Sequence, residues 1–174
     1  MENTVFNLIK GGSYMNPVYD KLLKCYESVK QKIDFRPEVA IVLGSGLGDY
    51  ANDIRVEAEL DYHDIEGFPV STVPGHAGKF IFGYVGEVPV VCMKGRVHYY
   101  EGYPISDVVL PTRLMKLMGA EVLFLTNASG GINPSFTAGD FMMLTDHISL
   151  CAQSTYRRQY RRAGRAVPGY DACI

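Results

Sequence analysis

Val39-Ala40-Ile41-Val42-Leu43, an unbroken apolar run, passes directly into Gly44-Ser45-Gly46-Leu47-Gly48. A run this short, rich in β-branched residues and flanked by breakers, predicts a strand buried on both faces, as in a parallel sheet. The glycines let the backbone turn tightly and approach a ligand with no Cβ in the way. Backbone N–H groups in such a turn converge on an anion, most often a phosphate, and Ser45 adds a hydroxyl donor. Taken alone, the stretch is equally readable as a glycine-rich turn with no ligand. It is not a dinucleotide fingerprint, because Gly48 falls one position early for G-x-G-x-x-G.

At 174 residues and 47% hydrophobic, the chain is long enough for one substantial core and one domain. A net charge of −2 argues against nucleic acid or membrane as a partner for the chain as a whole. Cys25, Cys92, Cys151 and Cys173 lack metal-type spacing, and the first two sit in apolar patterns typical of reduced core thiols. No stretch approaches the roughly 20 apolar residues of a membrane span, and no signal peptide is visible. The expectation is a soluble, cytoplasmic protein.

Asn16 caps an expected first helix with Pro17 in its first turn, and Tyr19, Leu22, Leu23, Tyr26, Val29 and Ile33 form its apolar face. Asp34-Phe35-Arg36-Pro37 ends it. Leu47–Asn52 predicts a short helix, followed by a polar connection through Asp61 to Gly67. Phe68–Pro74 is extended and delivers Gly75-His76-Ala77-Gly78, a second small-residue loop. Lys79–Val85 and Val88–Met93 predict a hairpin turned at Gly86-Glu87. A second helix begins at Pro104, with Pro111 either kinking it or marking its true start and Gly119 just past its end. Val122–Thr126 repeats the strand pattern and runs into Asn127-Ala128-Ser129-Gly130-Gly131; Phe141–Leu144 is a further strand candidate. The expected fold class is α/β: a mixed, largely parallel twisted sheet flanked by helices.

Four segments carry the chemistry: Gly44–Gly48, Gly75–Gly78, Gly95–Gly102 and Asn127–Gly131. Three directly follow strand candidates, so one sheet edge can gather them. Together they offer Ser45, His76, Arg96 and His98, with backbone donors at Ala128 and its neighbours. That set suits a phosphate: arginine supplies a bidentate fork, histidine, serine and backbone the remaining donors. Each member also has a plainer explanation. His76 and His98 can be structural, Arg96 can pair with Glu101 on the surface, and Tyr99 and Tyr100 can be packing residues. His63 and His147 are read as structural. No acids stand at metal-ligand spacing, and Gly44-Ser45-Gly46 is not the G-x-S-x-G nucleophile turn.

Val42–Gly48, Ser71–Gly78, Gly95-Arg96-Val97-His98-Tyr99-Tyr100-Glu101-Gly102-Tyr103-Pro104 and Thr126–Pro134, followed by Gly139-Asp140 and Asp146-His147-Ile148, together resemble the purine nucleoside phosphorylase family. The likeness is to its homotrimeric class acting on guanosine and inosine, and it covers roughly residues 15–150. Gly75–Gly78 and Glu101–Pro104 look more like these enzymes than the sister methylthioadenosine phosphorylases. The resemblance implies a phosphorylase/hydrolase-like fold and reversible phosphorolysis of purine (deoxy)ribonucleosides to free base and (deoxy)ribose 1-phosphate, a reaction of purine salvage. It implies that Ser45, His76, Arg96, His98 and the Ala128 amide hold phosphate, with His98 in the catalytic role, and that Tyr100 contacts the nucleoside sugar. It implies no metal and no cofactor, with inorganic phosphate as co-substrate and a homotrimer as the assembly. No nucleic-acid or membrane partner is implied.

The family's purine-gripping Glu and Asn, and a His near the ribose, lie in its second half and match no position here. The expected organisation is therefore residues 1–150 as the N-terminal part of a single, truncated nucleoside phosphorylase domain, and 151–174 as a non-family tail. That tail carries Arg157, Arg158, Arg161, Arg162 and Arg165 with no acid before Asp171. Read one base later, permitted codons for Ala152–Gln159 can give Pro-Asn-Pro-Leu-Ile-Gly-Ala-Asn, which looks like the family's own continuation, so an out-of-frame origin is expected. The alternatives are a non-catalytic phosphate-binding fragment and nucleic-acid binding through the basic tail.

Overall fold

The computed structural model describes residues 16–70, 78–146 and 148. Helix α1 spans Pro17–Lys30; Asn16 caps it by accepting a 3.1 Å hydrogen bond from the Val18 N–H, with Pro17 in the first turn. Five strands follow: β1 (Val39–Val42), β2 (Arg55–Asp61), β3 (Lys79–Val85), β4 (Val88–Lys94) and β5 (Val122–Leu125). Helices α2 (Ile105–Val108) and α3 (Leu110–Met118) lie between β4 and β5, and Pro111 sits in the first turn of α3. Proline therefore marks the true start of that helix. Short 3₁₀ turns occupy Gly48–Asp53, Tyr62–Asp64 and Tyr99–Glu101.

The strands form one mixed sheet in the order β2-β3-β4-β1-β5. β3 runs antiparallel to both β2 and β4, while β4, β1 and β5 are mutually parallel. Alternation sorts the side chains onto two faces. Ala40, Val42, Phe80, Phe82, Val91 and Met93 face one layer with Leu22, Cys25 and Val29 of α1 and Leu110, Leu114, Met115 and Met118 of α3. Ile41, Leu43, Ile81, Val90 and Cys92 face the other, where Ala51 and Ile54 from the 3₁₀ segment supply the cover. Each fully buried Leu or Met of α3 contributes about 1.5–3 kcal/mol by leaving water.

Two expectations are corrected. The connection through Asp61 is not irregular: Arg55–Asp61 is strand β2, paired to β3 with a bulge between Val56 and Ala58. Its charged residues sit on an edge where only Leu60 is buried, and the Lys79 ammonium meets the Glu59 carboxylate at 2.6 Å. Conversely, Phe141–Leu144 is not a strand. It runs irregular and exposed, Phe141 being 92% and Met143 86% accessible. A strand needs a neighbour, and among the described residues the sheet ends at β5, whose Val122 and Phe124 are more than half exposed.

Candidate active site

Parallel pairing determines where the functional loops emerge. In register, Met93 of β4, Val42 of β1 and Leu125 of β5 stand abreast. Three residues beyond each lie Arg96, Ser45 and Ala128. With neighbouring strands about 4.8 Å apart, three chain segments leave one sheet edge within roughly 10 Å of one another. This is the C-terminal edge of the parallel strands, where open α/β sheets bind ligands.

Side-chain and backbone contacts then tie the loops together. The Thr126 hydroxyl accepts the Gly44 N–H at 2.8 Å and donates to the Val42 carbonyl at 3.0 Å, joining the loops after β1 and β5. A Cβ at Gly44 would stand 2.5 Å from the Thr126 carbonyl oxygen and 2.7 Å from Asn127 Cα, both backbone atoms. Glycine is therefore required for this approach as well as for flexibility. Gly46 takes φ +83° at the tip of the turn.

After β4 the chain turns at Gly95 (φ +88°) into Arg96, Val97 and His98. Arg96 and His98 are half-buried and Val97 is buried. The Glu101 carboxylate accepts the His98 N–H at 2.7 Å, and the Glu101 N–H returns to the His98 carbonyl at 3.0 Å. Glu101 thus shapes the backbone at His98, a role that the sequence reading did not assign to it. The His98 and Tyr100 rings stack with centroids 4.8 Å apart and planes within 12°. Tyr100 is 78% exposed on the outside of that stack, open to a ligand. The Tyr103 hydroxyl donates to the Val70 carbonyl, which anchors the stretch leading to the second small-residue loop.

The predicted residues are thus distributed as follows. Ser45, Arg96, His98 and Ala128 leave the same sheet edge, Ser45 and Ala128 being exposed. Tyr100 sits beside His98. His76, His147 and the arginine tail lie outside the described residues. His63 is exposed in the 3₁₀ turn after β2, beside Tyr62 and at the same end of the sheet. Sequence reasoning missed Thr126 and Tyr62, whose phenol donates to the Gly95 carbonyl at 2.7 Å. Thr126 had a faint signal, a hydroxyl-bearing residue ending an apolar strand; Tyr62, set between Asp61 and His63, had none.

Two shallow clefts lie elsewhere. One of about 470 Å³ is lined by Lys32, Asp34, Phe35, Arg55, Glu57 and Tyr84, and the other by Arg36, Glu38, Gly119 and Glu121 near the opposite end of β1 and β5. Among the described residues of the candidate site, Ser45 and Ala128 are exposed and Arg96 and His98 half-buried. Both described thiols are remote from it in chemistry: burial pushes Cys25 up and Cys92 to about 11, so both stay protonated. Among the described residues, no helix is long and apolar enough to cross a membrane.

Comparison with known proteins agrees with this architecture. A family model described as the phosphorylase superfamily matches residues 38–173. The chain is 46% identical over 132 residues to a purine nucleoside phosphorylase of Anopheles gambiae, covering 76% of this chain and 37% of that protein. It is 50% identical over 115 residues to the purine nucleoside phosphorylase of Bos taurus, covering 66% and 40%. Among solved structures, the purine nucleoside phosphorylase of Schistosoma mansoni in complex with acetate superposes with a TM-score of 0.65 at 40% identity, covering 70% of this chain and 44% of that one. A purine nucleoside phosphorylase holding ribose 1-phosphate gives 0.64 at 39% identity, covering 73% and 47%. The chain spans less than half the length of each of these relatives. With its sheet order, its glycine-turned parallel edge and a family match over more than half its residues, the chain belongs to the phosphorylase superfamily.

Proposed function

We propose that this chain carries the phosphate-holding half of a purine nucleoside phosphorylase site. Ser45, Arg96, His98 and the Ala128 amide cradle inorganic phosphate, His76 joins them from the second loop, and Tyr100 meets the sugar. One observation carries the reading: Arg96, Ser45 and Ala128 stand at the same offset beyond an aligned row of three parallel strands.

The chemistry follows from that arrangement. In phosphorolysis a phosphate oxygen forms a bond to the anomeric carbon while the glycosidic C–N bond breaks and the base leaves with the bonding pair. The sugar passes through oxocarbenium character, so a correctly placed anion is both nucleophile and counter-charge. Arg96 supplies the planar fork that orients the phosphate, and His98, stacked on Tyr100, sets the phosphate beside the sugar contact. No cofactor enters the scheme. The full reaction belongs to the same proposal, supported by the names of the relatives and the ligands of their structures; a homotrimeric assembly and a cytosolic setting are proposed on the family resemblance alone.

The test is titration of the purified chain with inorganic phosphate, followed by an assay of phosphate-dependent hypoxanthine release from inosine. The expected result is saturable phosphate binding, with base release far below that of an intact relative. Absence of phosphate binding overturns the reading; base release at an intact relative's rate overturns its restriction to half a site.

A further inference from the structure

Tyr62 is buried, 1% accessible, yet its phenol is polar and must be satisfied. Three contacts leave from this one residue. Its N–H donates to the Gly78 carbonyl at 3.1 Å, its ring lies where a Cβ at Gly78 would stand 2.2 Å away, and its hydroxyl donates to the Gly95 carbonyl at 2.7 Å. Gly78 closes the second small-residue loop and Gly95 opens the loop bearing Arg96 and His98. The two glycines also touch each other: a Cβ at Gly95 would meet Gly78 Cα at 3.2 Å. Behind Tyr62 the rings of Phe68 and Phe80 pack at 4.8 and 5.0 Å between centroids, so the phenol has little freedom to turn. Burial holds its pKa well above the ordinary value, which keeps it a donor across the working pH range.

Gly95 has φ +88°, and its carbonyl meets the buried Tyr62 hydroxyl in the peptide that leads directly to half-buried Arg96. Without a fixed acceptor partner, that peptide is free to rotate and the guanidinium loses its bearing. A misplacement of such a group by a fraction of an ångström is enough to weaken an oriented bidentate contact. Strand pairing does not supply the restraint, because the register ends at Lys79–Lys94.

We infer that Tyr62 is a positioning residue for the phosphate cradle: from the opposite side of the loops it locks the Gly95 peptide, and with it the direction of Arg96. The inference rests on the phosphate reading above. Its test is calorimetric titration of inorganic phosphate into the wild-type chain, Y62F, G95A and the double variant, at a temperature where circular dichroism shows each fully folded. Y62F keeps the ring packing and removes only the hydroxyl. It is expected to bind phosphate five- to tenfold more weakly, the worth of one hydrogen bond. G95A disturbs the acceptor, and the double variant is expected to be no weaker than the weaker single one, because both act on one contact. A residue serving stability alone would lower the urea midpoint and leave the phosphate constant unchanged.

Wild-type binding with unaltered affinity in Y62F overturns this inference and leaves the phosphate site standing. Failure of the wild-type chain to bind phosphate overturns both. If Y62F does not fold, G95A decides: unchanged affinity there overturns the inference.

Discussion

Thr126→Val removes the hydroxyl that bridges the loops after β1 and β5 while conserving side-chain shape. Two hydrogen bonds are lost, but they are unequal. The Val42 carbonyl keeps the Thr126 N–H at 3.1 Å, so its loss is small. The Gly44 N–H gave its bond to Oγ1 at 2.8 Å, and Gly44 is buried, so its donor is left unsatisfied. An orphaned buried N–H costs about 1–3 kcal/mol, and the residual carbonyl term adds little, which places the variant about 2 kcal/mol below wild type. For a domain of this size that is a fall in melting temperature of roughly 4–8 °C. Urea denaturation is the assay, with the slope expected unchanged and the midpoint lowered. Thr126→Ser retains the hydroxyl and is expected within about 1 kcal/mol of wild type. Equal stability of the Val variant and wild type, or equal damage from Ser and Val, refutes the assignment of the bridge to Oγ1.

Arg96→Ala is expected to weaken phosphate binding by about 10- to 100-fold, the range of a charge-assisted contact, with Arg96→Lys between it and wild type; calorimetry decides, and an unchanged constant removes Arg96 from the cradle. Stability should fall as pH rises from about 9 to 11. Cys92 is pushed up to about 11 in the fold, so the unfolded chain releases its proton first over that interval, by roughly 2–3 kcal/mol in all. Cys25, also raised, acts in the same direction, and denaturation midpoints that stay level between pH 8 and 10.5 contradict the account. Phe124→Lys places a charge on a side chain already 59% exposed at the sheet edge, and light scattering should show less self-association with little change in stability. In the gene, a phosphorylase-like frame is expected one base out of register from the codons for Leu150–Cys151, and a nucleotide sequence lacking it rejects the out-of-frame origin of the tail.

The interior of the sheet was legible because its signals are local. β1, β3, β4 and β5 are apolar runs bounded by glycine or proline, and α1 announces itself through Asn16 and Pro17. β2 was obscured by its charges. Arg55, Glu57, Glu59 and Asp61 read as a polar connection, although Val56, Ala58 and Leu60 alternate between them at the period of a strand. Phe141-Met142-Met143-Leu144 failed in the opposite sense. Its composition favours a strand, but pairing is a property of two segments, and composition reports only one of them.

The site divides along the same line. Ser45, Arg96, His98 and Ala128 sit in loops whose glycines reveal them, because a backbone that must turn and approach closely leaves few residue types to choose from. The residues that hold those loops have no such mark: Thr126 reaches across 82 positions to Gly44, and Tyr62 across 33 to Gly95. An anion cradle needs both kinds. Donors at an equal offset beyond three parallel strands give the approximate geometry, and an offset alone leaves each loop free to rotate about its last strand hydrogen bond. The hydroxyls of Thr126 and Tyr62 act at those two pivots, at the first peptide after β1 and the first after β4. Removing either is therefore expected to change affinity through direction rather than through charge, which is why the isosteric variants, and not alanine, are the informative ones.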